Sequence, residues 1–180
     1  MNSKRVIQSI MISALCCLLL GAQWPKGSLY EAPLKWVTDQ GKPAQLSNWS
    51  GKNVVITMAY TSCHGSCPLI MQKLRKVEKL FAEKKIDASF VIVSFDPKND
   101  TPQALREYRE EAGVTEKNWT FLTGKETDVR RLSMLLEISY SKNPGSHEIM
   151  HDNKIILLSP QGEIRRTLKS LDEKETQLLD

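Results

Sequence analysis

The sequence lacks a strong charge of either sign, an internal repeat and any low-complexity tract. Its 25 basic and 21 acidic residues leave a formal net charge of +4 across 180 residues. A charge this weak gives no argument for binding a polyanion, so we expect no nucleic acid as a partner. Acids and bases are interleaved in residues 106–117 (REYREEAGVTEK), which we interpret as the solvated face of a helix. The length favours a single domain with a hydrophobic core.

The N terminus departs from this balanced composition. Lys4 and Arg5 are followed by an apolar run over residues 6–20, which is the pattern of an export signal. An uncleaved membrane anchor is the alternative, although polar residues within the run make it borderline for spanning a bilayer. We therefore assign residues 1–22 as a signal peptide or an N-terminal membrane anchor. Either one places the rest of the protein in a bacterial cell envelope, on the periplasmic side of the inner membrane.

Cysteine is scarce. Of the four cysteines, Cys16 and Cys17 belong to the leader, and only Cys63 and Cys67 remain. Lipidation of Cys16 or Cys17 is disfavoured because neither follows a small residue. An even pair in an oxidising compartment is usually a disulfide. A bridge between Cys63 and Cys67 would close so short a loop that it would constrain the unfolded chain little, so a purely structural disulfide is the less favoured interpretation.

Apolar strands alternate with amphipathic helices along the chain. Residues 53–60 (NVVITMAY) and 88–95 (ASFVIVSF) are typical of buried strands, and the amphipathic stretch that ends at Lys85 predicts a helix between them. The other expected elements are a hairpin within 34–46 that turns at 39–42, a helix begun by Asp100 or Thr101 and ended by Gly113, a strand at 119–124, a helix at 125–138, a loop at 139–150, two strands within 151–168 that turn at 160–162, and a short helix from Leu171.

This order predicts an α/β fold on a thioredoxin-like plan. We expect a mostly parallel central sheet, with an N-terminal β-hairpin and with helices on both faces. We interpret residues 23–33 as a tether and residues 34–180 as a single thioredoxin-like domain. The cysteine pair follows the strand at 53–60, and functional loops gather at the carboxyl ends of strands in open α/β sheets.

The motif CHGSCP (63–68) contains the residues that are suited to metal ligation or thiol exchange. Pro68 suits the first turn of a helix, so Cys67 is expected at or near the N-cap, with Cys63 in the preceding loop. A helix N-terminus favours the thiolate, and we therefore predict a lowered pKa for Cys67. The familiar redox couple has two intervening residues, whereas this pair has three. The wider loop suits metal ligation better but leaves thiol exchange open, and a soft Cu(I) or Zn²⁺ ion would need a third donor.

Three histidines are available as that donor. We interpret His64 and His147 as solvent-exposed or merely hydrogen-bonded side chains. His151 directly precedes the predicted strand 153–158 (NKIILL), so the sheet would hold its backbone. In a thioredoxin-like sheet, the loop that enters this late strand passes beside the start of the active-site helix. We therefore predict His151 as the third donor; a trigonal Cys₂His site suits Cu(I), and tetrahedral zinc would need a fourth ligand.

Four segments resemble the Sco/SenC family in order and spacing, and the resemblance covers residues 34–168. They are 60–74 (YTSCHGSCPLIMQKL), 91–108 (VIVSFDPKNDTPQALREY), 121–124 (FLTG) and 150–164 (MHDNKIILLSPQGEI). The resemblance implies a thioredoxin fold, membrane-anchored or periplasmic, that binds copper through Cys63, Cys67 and His151. His147 is an additional histidine that could compete with His151.

The resemblance also implies a function in assembling the dinuclear copper centre of cytochrome c oxidase. The first hypothesis is a metallochaperone that delivers Cu(I), with Cu(II) binding left open, to the copper-centre subunit of that oxidase. The alternative is a periplasmic thiol–disulfide oxidoreductase, in which Cys63 and Cys67 are the catalytic redox pair and His151 is a nearby base. Other periplasmic copper carriers or thiol reductants are further candidate partners, and the N-terminal segment could associate with the membrane. Peroxidase activity is disfavoured because CHGSC lacks the Thr-x-x-x-Cys pattern.

The segment 96–102 (DPKNDTP) has two interpretations. Asp96 and Asp100 could form an acidic docking feature or support the site from behind. Turn and helix-cap chemistry already accounts for both residues, and we favour that interpretation.

Overall fold

The computed structural model describes residues 24–63, 65–142 and 148–180. The leader expected at residues 1–22 therefore lies outside the described residues, as do His64 and His147. Within the described ranges, no helix combines the length and apolar character that crossing a membrane requires.

Nine strands and three α-helices make up the described chain, together with three short 3₁₀ helices. The strands are β1 Trp36–Thr38, β2 Pro43–Ala44, β3 Asn53–Ala59, β4 Ala88–Ser94, β5 Trp119–Gly124, β6 Tyr140–Lys142, β7 Ile149–His151, β8 Ile155–Leu158 and β9 Ile164–Leu168. The α-helices are α1 Ser66–Glu83, α2 Pro102–Glu111 and α3 Glu126–Leu135, and the 3₁₀ helices are Leu29–Glu31, Leu46–Trp49 and Glu175–Leu178.

Seven of the strands form one sheet in the order β2-β1-β5-β4-β3-β8-β9. Its centre is parallel, because β3 pairs with β4 and β4 pairs with β5 in the same direction. The β1–β2 hairpin joins one side through β5, and the β8–β9 hairpin joins the other through β3, both antiparallel. The predicted α/β, thioredoxin-like fold with its N-terminal hairpin is confirmed.

The central strands are apolar because both faces of the sheet are covered. Every residue of β4 and all but the first of β3 are buried, which explains their continuous apolar runs. The largest side chains that are fully buried form the core around them: Trp36, Trp119, Phe81, Phe90, Phe95, Phe121, Leu34, Ile56, Met58, Ile70, Leu74 and Leu122. This packing makes the carboxyl ends of β3 and β4 a firm platform for the loops that follow.

The segment expected as a tether is partly packed against the domain. Leu29 and Tyr30 are buried in the core, and the Leu29 N–H donates to the carbonyl of Gly162 at 2.9 Å. The Ser28 hydroxyl donates to the Gln161 carbonyl at 2.5 Å. Residues 28–31 therefore cover the turn between β8 and β9, and the composition of this segment did not indicate such contacts.

Two other expectations need correction. The loop predicted at 139–150 contains the strands β6 and β7, which pair antiparallel as a separate two-stranded sheet. The helix face at 106–117 is not wholly solvated, because Arg109 pairs with the buried carboxylate of Asp39 at 3.0 Å. In both cases the decisive contacts join residues far apart in the chain, which local patterns do not report.

Candidate metal centre

The loop after β3 and the first turn of α1 carry the two cysteines. Cys63 lies in the loop and is half-buried, whereas Cys67 is buried, and both thiols are free. The helix begins at Ser66 with Gly65 as its N-cap, so Cys67 is inside the first turn rather than at the cap. Pro68 fits there because the first turn has no intrahelical partner for a backbone N–H. The Cys67 N–H points at the Cys63 sulfur at 3.4 Å.

His151 ends β7 and lies against these sulfurs. Its Nε2 is 3.9 Å from the Cys67 Sγ, and its Nδ1 is 3.0 Å from the carbonyl oxygen of Asp152. A carbonyl oxygen only accepts hydrogen bonds, so the proton of a neutral ring is on Nδ1. The lone pair of Nε2 therefore faces the cysteines, which is the tautomer that a metal-ligating histidine needs.

The structure brings together the three residues that the sequence singled out. One donor atom from each of Cys63, Cys67 and His151 lies within 4.8 Å of the other two. The expectation that the late histidine lies beside the helix start is thus confirmed. His151 is the last residue of β7 rather than part of a loop, and three residues separate it from the start of β8 at Ile155.

Aromatic rings hold the imidazole in place. The ring of Phe95 is 4.7 Å from the His151 ring, and the ring of Tyr60 meets it edge-on at 5.9 Å. The Tyr60 hydroxyl also accepts a hydrogen bond from the Ile149 N–H at 3.1 Å and donates to the Ile149 carbonyl at 3.5 Å. Tyr60 follows β3 and Ile149 begins β7, so this side chain fastens the histidine strand to the cysteine loop.

The predicted lowering of the Cys67 pKa is wrong. Burial raises the pKa of the Cys67 thiol, and the Cys63 sulfur adds to the effect, because a buried thiolate has lost its hydration. The pKa of Cys63 is lowered instead. Burial raises it, but hydrogen bonds from the Cys67 thiol and from the backbone N–H groups of Cys67 and Gly65 outweigh that cost. The N–H groups at the start of α1 therefore lower the pKa of Cys63, which lies in front of the helix, and not the pKa of Cys67, which lies within it.

Asp100 does not cap the next helix. Thr101 is the N-cap of α2, and its hydroxyl accepts from the Ala104 N–H at 3.2 Å. Asp100 is fully buried, and its carboxylate accepts from the Thr61 N–H at 3.2 Å, from the Thr61 hydroxyl at 2.6 Å and from the Ser94 hydroxyl. Of the two predicted cap residues Thr101 is therefore confirmed and Asp100 is wrong, and the Asp100 carboxylate instead supports the loop that leads to Cys63.

Asp96 lies two residues after the end of β4 and joins the same network through Ser94. Its N–H donates to the Ser94 hydroxyl at 2.8 Å, and its carboxylate accepts from the Asn99 amide at 2.6 Å. The same carboxylate pairs with Lys142 on β6 at 3.0 Å. Sequence reasoning missed Tyr60 and Lys142, because their partners lie far away in the chain and no local pattern marks them.

The chain is similar in sequence and in fold to proteins of one known family. The SCO1/SenC family model matches residues 23–180. The SCO1 protein homolog of Bacillus subtilis (strain 168) is 23% identical over 165 residues, which span 90% of this chain and 86% of that protein. The solved structure of Arabidopsis thaliana ScoI with copper bound is similar at 24% identity and a TM-score of 0.72, over 82% of this chain and 91% of that one.

A further structure is similar in fold. It is BsSco, described as a member of the Sco family of cytochrome c oxidase assembly proteins with a disulfide switch. Its identity to this chain is 21%, its TM-score is 0.69, and the match spans 81% of this chain and 85% of that one. At these identities the two structures support the fold, whereas the family model covers most of the chain. The chain belongs to the SCO1/SenC family.

Proposed function

We propose that this chain binds Cu(I) through Cys63, Cys67 and His151 and delivers it for assembly of the copper centre of cytochrome c oxidase. The observation that carries the proposal is the 3.9 Å approach of the His151 Nε2 lone pair to the Cys67 sulfur. Copper bound in Arabidopsis ScoI, a protein of similar fold, supports the choice of metal.

The spacing of the donors suits a three-coordinate soft metal. With metal–sulfur bonds of about 2.3 Å and metal–nitrogen bonds of about 2.0 Å, donors in a trigonal arrangement lie roughly 4 Å apart. The three donor atoms of the chain lie within 4.8 Å of one another, so a small contraction would seat the ion. Two thiolates and one imidazole match the preference of Cu(I) for soft ligands and a low coordination number.

The burial of the two sulfurs suits transfer of the metal. Cys67 is 0% exposed and provides a dry, sulfur-lined floor, whereas Cys63 is only half-buried. An incoming thiolate from a partner could therefore join the ion at the Cys63 side before a ligand of the chain leaves. The receiving protein in this proposal is the copper-centre subunit of cytochrome c oxidase, and the leader pattern of residues 1–22 supports an exchange in the bacterial envelope.

An anaerobic copper titration of the reduced chain tests the ligand set. X-ray absorption is expected to report two sulfurs and one nitrogen for each Cu(I). His151→Ala is expected to lower the Cu(I) affinity at least as much as the loss of an outer-shell partner does, which is about 10–100-fold. His147→Ala is the matched control and should leave the affinity unchanged. Parent affinity in His151→Ala, or loss of affinity in His147→Ala, would overturn the assignment of His151.

Thiol–disulfide exchange is the second candidate function. The free, half-buried Cys63 with its lowered pKa is suited to attack a partner disulfide, and the buried Cys67 is suited to resolve the mixed disulfide. The partner would gain two thiols while Cys63 and Cys67 become a disulfide, and a thiol reductant would then restore the pair. The disulfide switch described for BsSco supports this candidate.

The two candidates differ in what they need from His151. Disulfide exchange requires only the cysteines, so His151→Ala should retain most of the exchange rate with a small disulfide while losing tight copper binding. Reduction of a peptide disulfide by the parent and by His151→Ala, measured beside the copper titration, separates the two functions. Replacing either cysteine would disable both and would not discriminate between them.

A further inference from the structure

The hairpin that carries His151 is not part of the seven-stranded sheet. Among the residues that the structure describes, β6 and β7 pair only with each other, with Tyr140 opposite His151 and Lys142 opposite Ile149. A lone two-stranded hairpin is marginally stable in water. The position of His151 therefore depends on the side chains that attach this hairpin to the rest of the domain.

Each strand of the hairpin has its own attachment. On β7, the Tyr60 hydroxyl bonds both backbone groups of Ile149, and the Phe95 ring packs against His151. On β6, the Tyr140 ring packs against Phe95 at 5.0 Å, and the Lys142 ammonium reaches the Asp96 carboxylate at 3.0 Å. The attachment of β7 involves Tyr60, which leads into the cysteine loop. The attachment of β6 involves residues that directly follow β4.

Contacts other than the one with Lys142 already fix the position of Asp96. Its side chain is 9% exposed, and the Asn99 amide already occupies the other carboxylate oxygen at 2.6 Å. The Ser94 hydroxyl accepts the Asp96 N–H, and the next residue, Phe95, donates its N–H to the Ala59 carbonyl at 2.9 Å. A carboxylate that is this buried needs a partner cation, and Lys142 is the one that the described residues supply.

We propose that Asp96 and Lys142 are positioning residues for His151. The proposal rests on the proposed copper site, because the ion pair would position His151, one of the three proposed ligands. Without the pair, β6 is expected to loosen, and β7 moves with it because the two strands share their hydrogen bonds. The cysteines are unaffected, since they stand on the loop after β3 and on α1. Copper affinity and disulfide chemistry should therefore separate.

Lys142→Met tests the proposal because it keeps an unbranched side chain and removes the charge. Its Cu(I) affinity, measured by competition with a chelator, is expected to fall roughly 10–100-fold, the range for partners that orient a ligand. The equilibrium of the Cys63–Cys67 disulfide with glutathione should be that of the parent. In the copper-free protein, hydrogen exchange at the Ile149 amide should be faster than in the parent.

Two further variants complete the experiment. Lys142→Arg retains the ion pair and should restore the affinity. Lys98→Met removes an exposed lysine from the same loop as Asp96 and should change nothing. Parent affinity in Lys142→Met, or no recovery in Lys142→Arg, would overturn the proposal. A shift of the disulfide equilibrium as large as the loss of affinity would also overturn it, because the pair would then act on the whole site.

The same measurements show whether the copper site or only the positioning role of Lys142 has been assigned wrongly. If the parent binds no Cu(I), the proposed function is wrong, and the exchange rate of the Ile149 amide still decides whether Lys142 holds the hairpin. If the parent binds Cu(I) through two sulfurs and one nitrogen and Lys142→Met binds it equally well, only the positioning by Asp96 and Lys142 is wrong.

Discussion

The two thiols of the site differ in their surroundings. Cys67 has no exposed surface, and burial raises the pKa of its thiol. Cys63 lies in front of the helix start, where the N–H groups of Cys67 and Gly65 point at its sulfur and help to lower its pKa despite partial burial. This asymmetry makes Cys63 the more accessible of the two thiols.

Alkylation of the reduced protein should reveal this asymmetry. Cys63 should react with iodoacetamide through a thiolate whose pKa is below the ordinary value of about 8.5. Its rate should therefore rise at a lower pH than the rate of a free cysteine does. Cys67 should stay unmodified over the same range, and mass spectrometry of peptides assigns each site. Alkylation of the denatured chain, where both thiols are equivalent, is the control; faster reaction at Cys67 in the folded protein would contradict the prediction.

Asp100 is the second residue whose surroundings decide its role. Its carboxylate is the acceptor for the N–H and hydroxyl of Thr61 and for the hydroxyl of Ser94. Asp100→Ala leaves these buried donors without that partner, at about 1–3 kcal/mol for an unsatisfied group. We expect a loss of about 2–4 kcal/mol in the free energy of unfolding, measured by urea denaturation. Asp87→Ala, at an exposed ion pair with Lys52, should cost less than about 0.5 kcal/mol.

At the scale of elements, the turn of the β8–β9 hairpin also packs against the segment 28–31. Gly162, in this turn, has φ +83° and a Cβ added to it would lie 2.6 Å from Tyr30 Cγ. The turn therefore both reverses the chain and forms the surface that the segment 28–31 covers. Gly41, in the β1–β2 turn, has φ +76° and no atom within 4 Å of an added Cβ.

This difference predicts unequal effects of the same substitution. Both Gly→Ala changes place a side chain at positive φ, which costs roughly 1–2 kcal/mol for an L-residue. Gly162→Ala also drives the new methyl group into Tyr30 and Ser28, which adds about 1–3 kcal/mol of overpacking. The free energy of unfolding should thus fall further for Gly162→Ala than for Gly41→Ala. Equal losses in urea denaturation would mean that the 28–31 segment does not rest on this turn.

At the scale of the whole molecule, copper binding should be linked to stability. Cys63 and Cys67 stand on the loop after β3 and on α1, whereas His151 stands on a separate hairpin, so one ion would join two parts of the molecule. A ligand that binds only the folded state stabilises it, by about 2.7 kcal/mol at a hundred times its dissociation constant.

The reduced chain should therefore unfold at a higher temperature with Cu(I) than without it. The expected rise is about 5–10 °C for a domain of this size under that saturation. Calorimetry of His151→Ala at the same copper concentration should show a smaller rise, and the disulfide form should show none, because its sulfurs are no longer thiolates. An equal rise for all three proteins would mean that copper binds elsewhere.

The sequence alone predicted the elements whose patterns are local. β3 and β4 are continuous apolar runs because both faces of the sheet are covered, and α1 has the spacing of a helix packed along one side. The two hairpin turns were predicted from Gly41 and from residues 160–162. Local patterns suffice in these places because burial on a strand or a helix repeats with the period of the element itself.

The sequence also predicted that Cys63, Cys67 and His151 lie close together. The motif spacing places the two sulfurs together, and the α/β order brings a late strand entry to the helix start. The sequence did not predict which thiol would have the lowered pKa, because that depends on the depth to which Cys67 is buried. It also did not predict the pairing of β6 with β7, which has no apolar pattern of its own.

The sequence by itself determined the fold class, the central strands and the three side chains of the site. Only the tertiary structure decided how those side chains are held: by Tyr60 on Ile149, by Asp100 on Thr61 and by Asp96 on Lys142. The reason is physical. Periodic burial is written into neighbouring residues, whereas a buried hydrogen bond or ion pair between distant residues exists only once the folded backbone has brought both partners out of water to the same place.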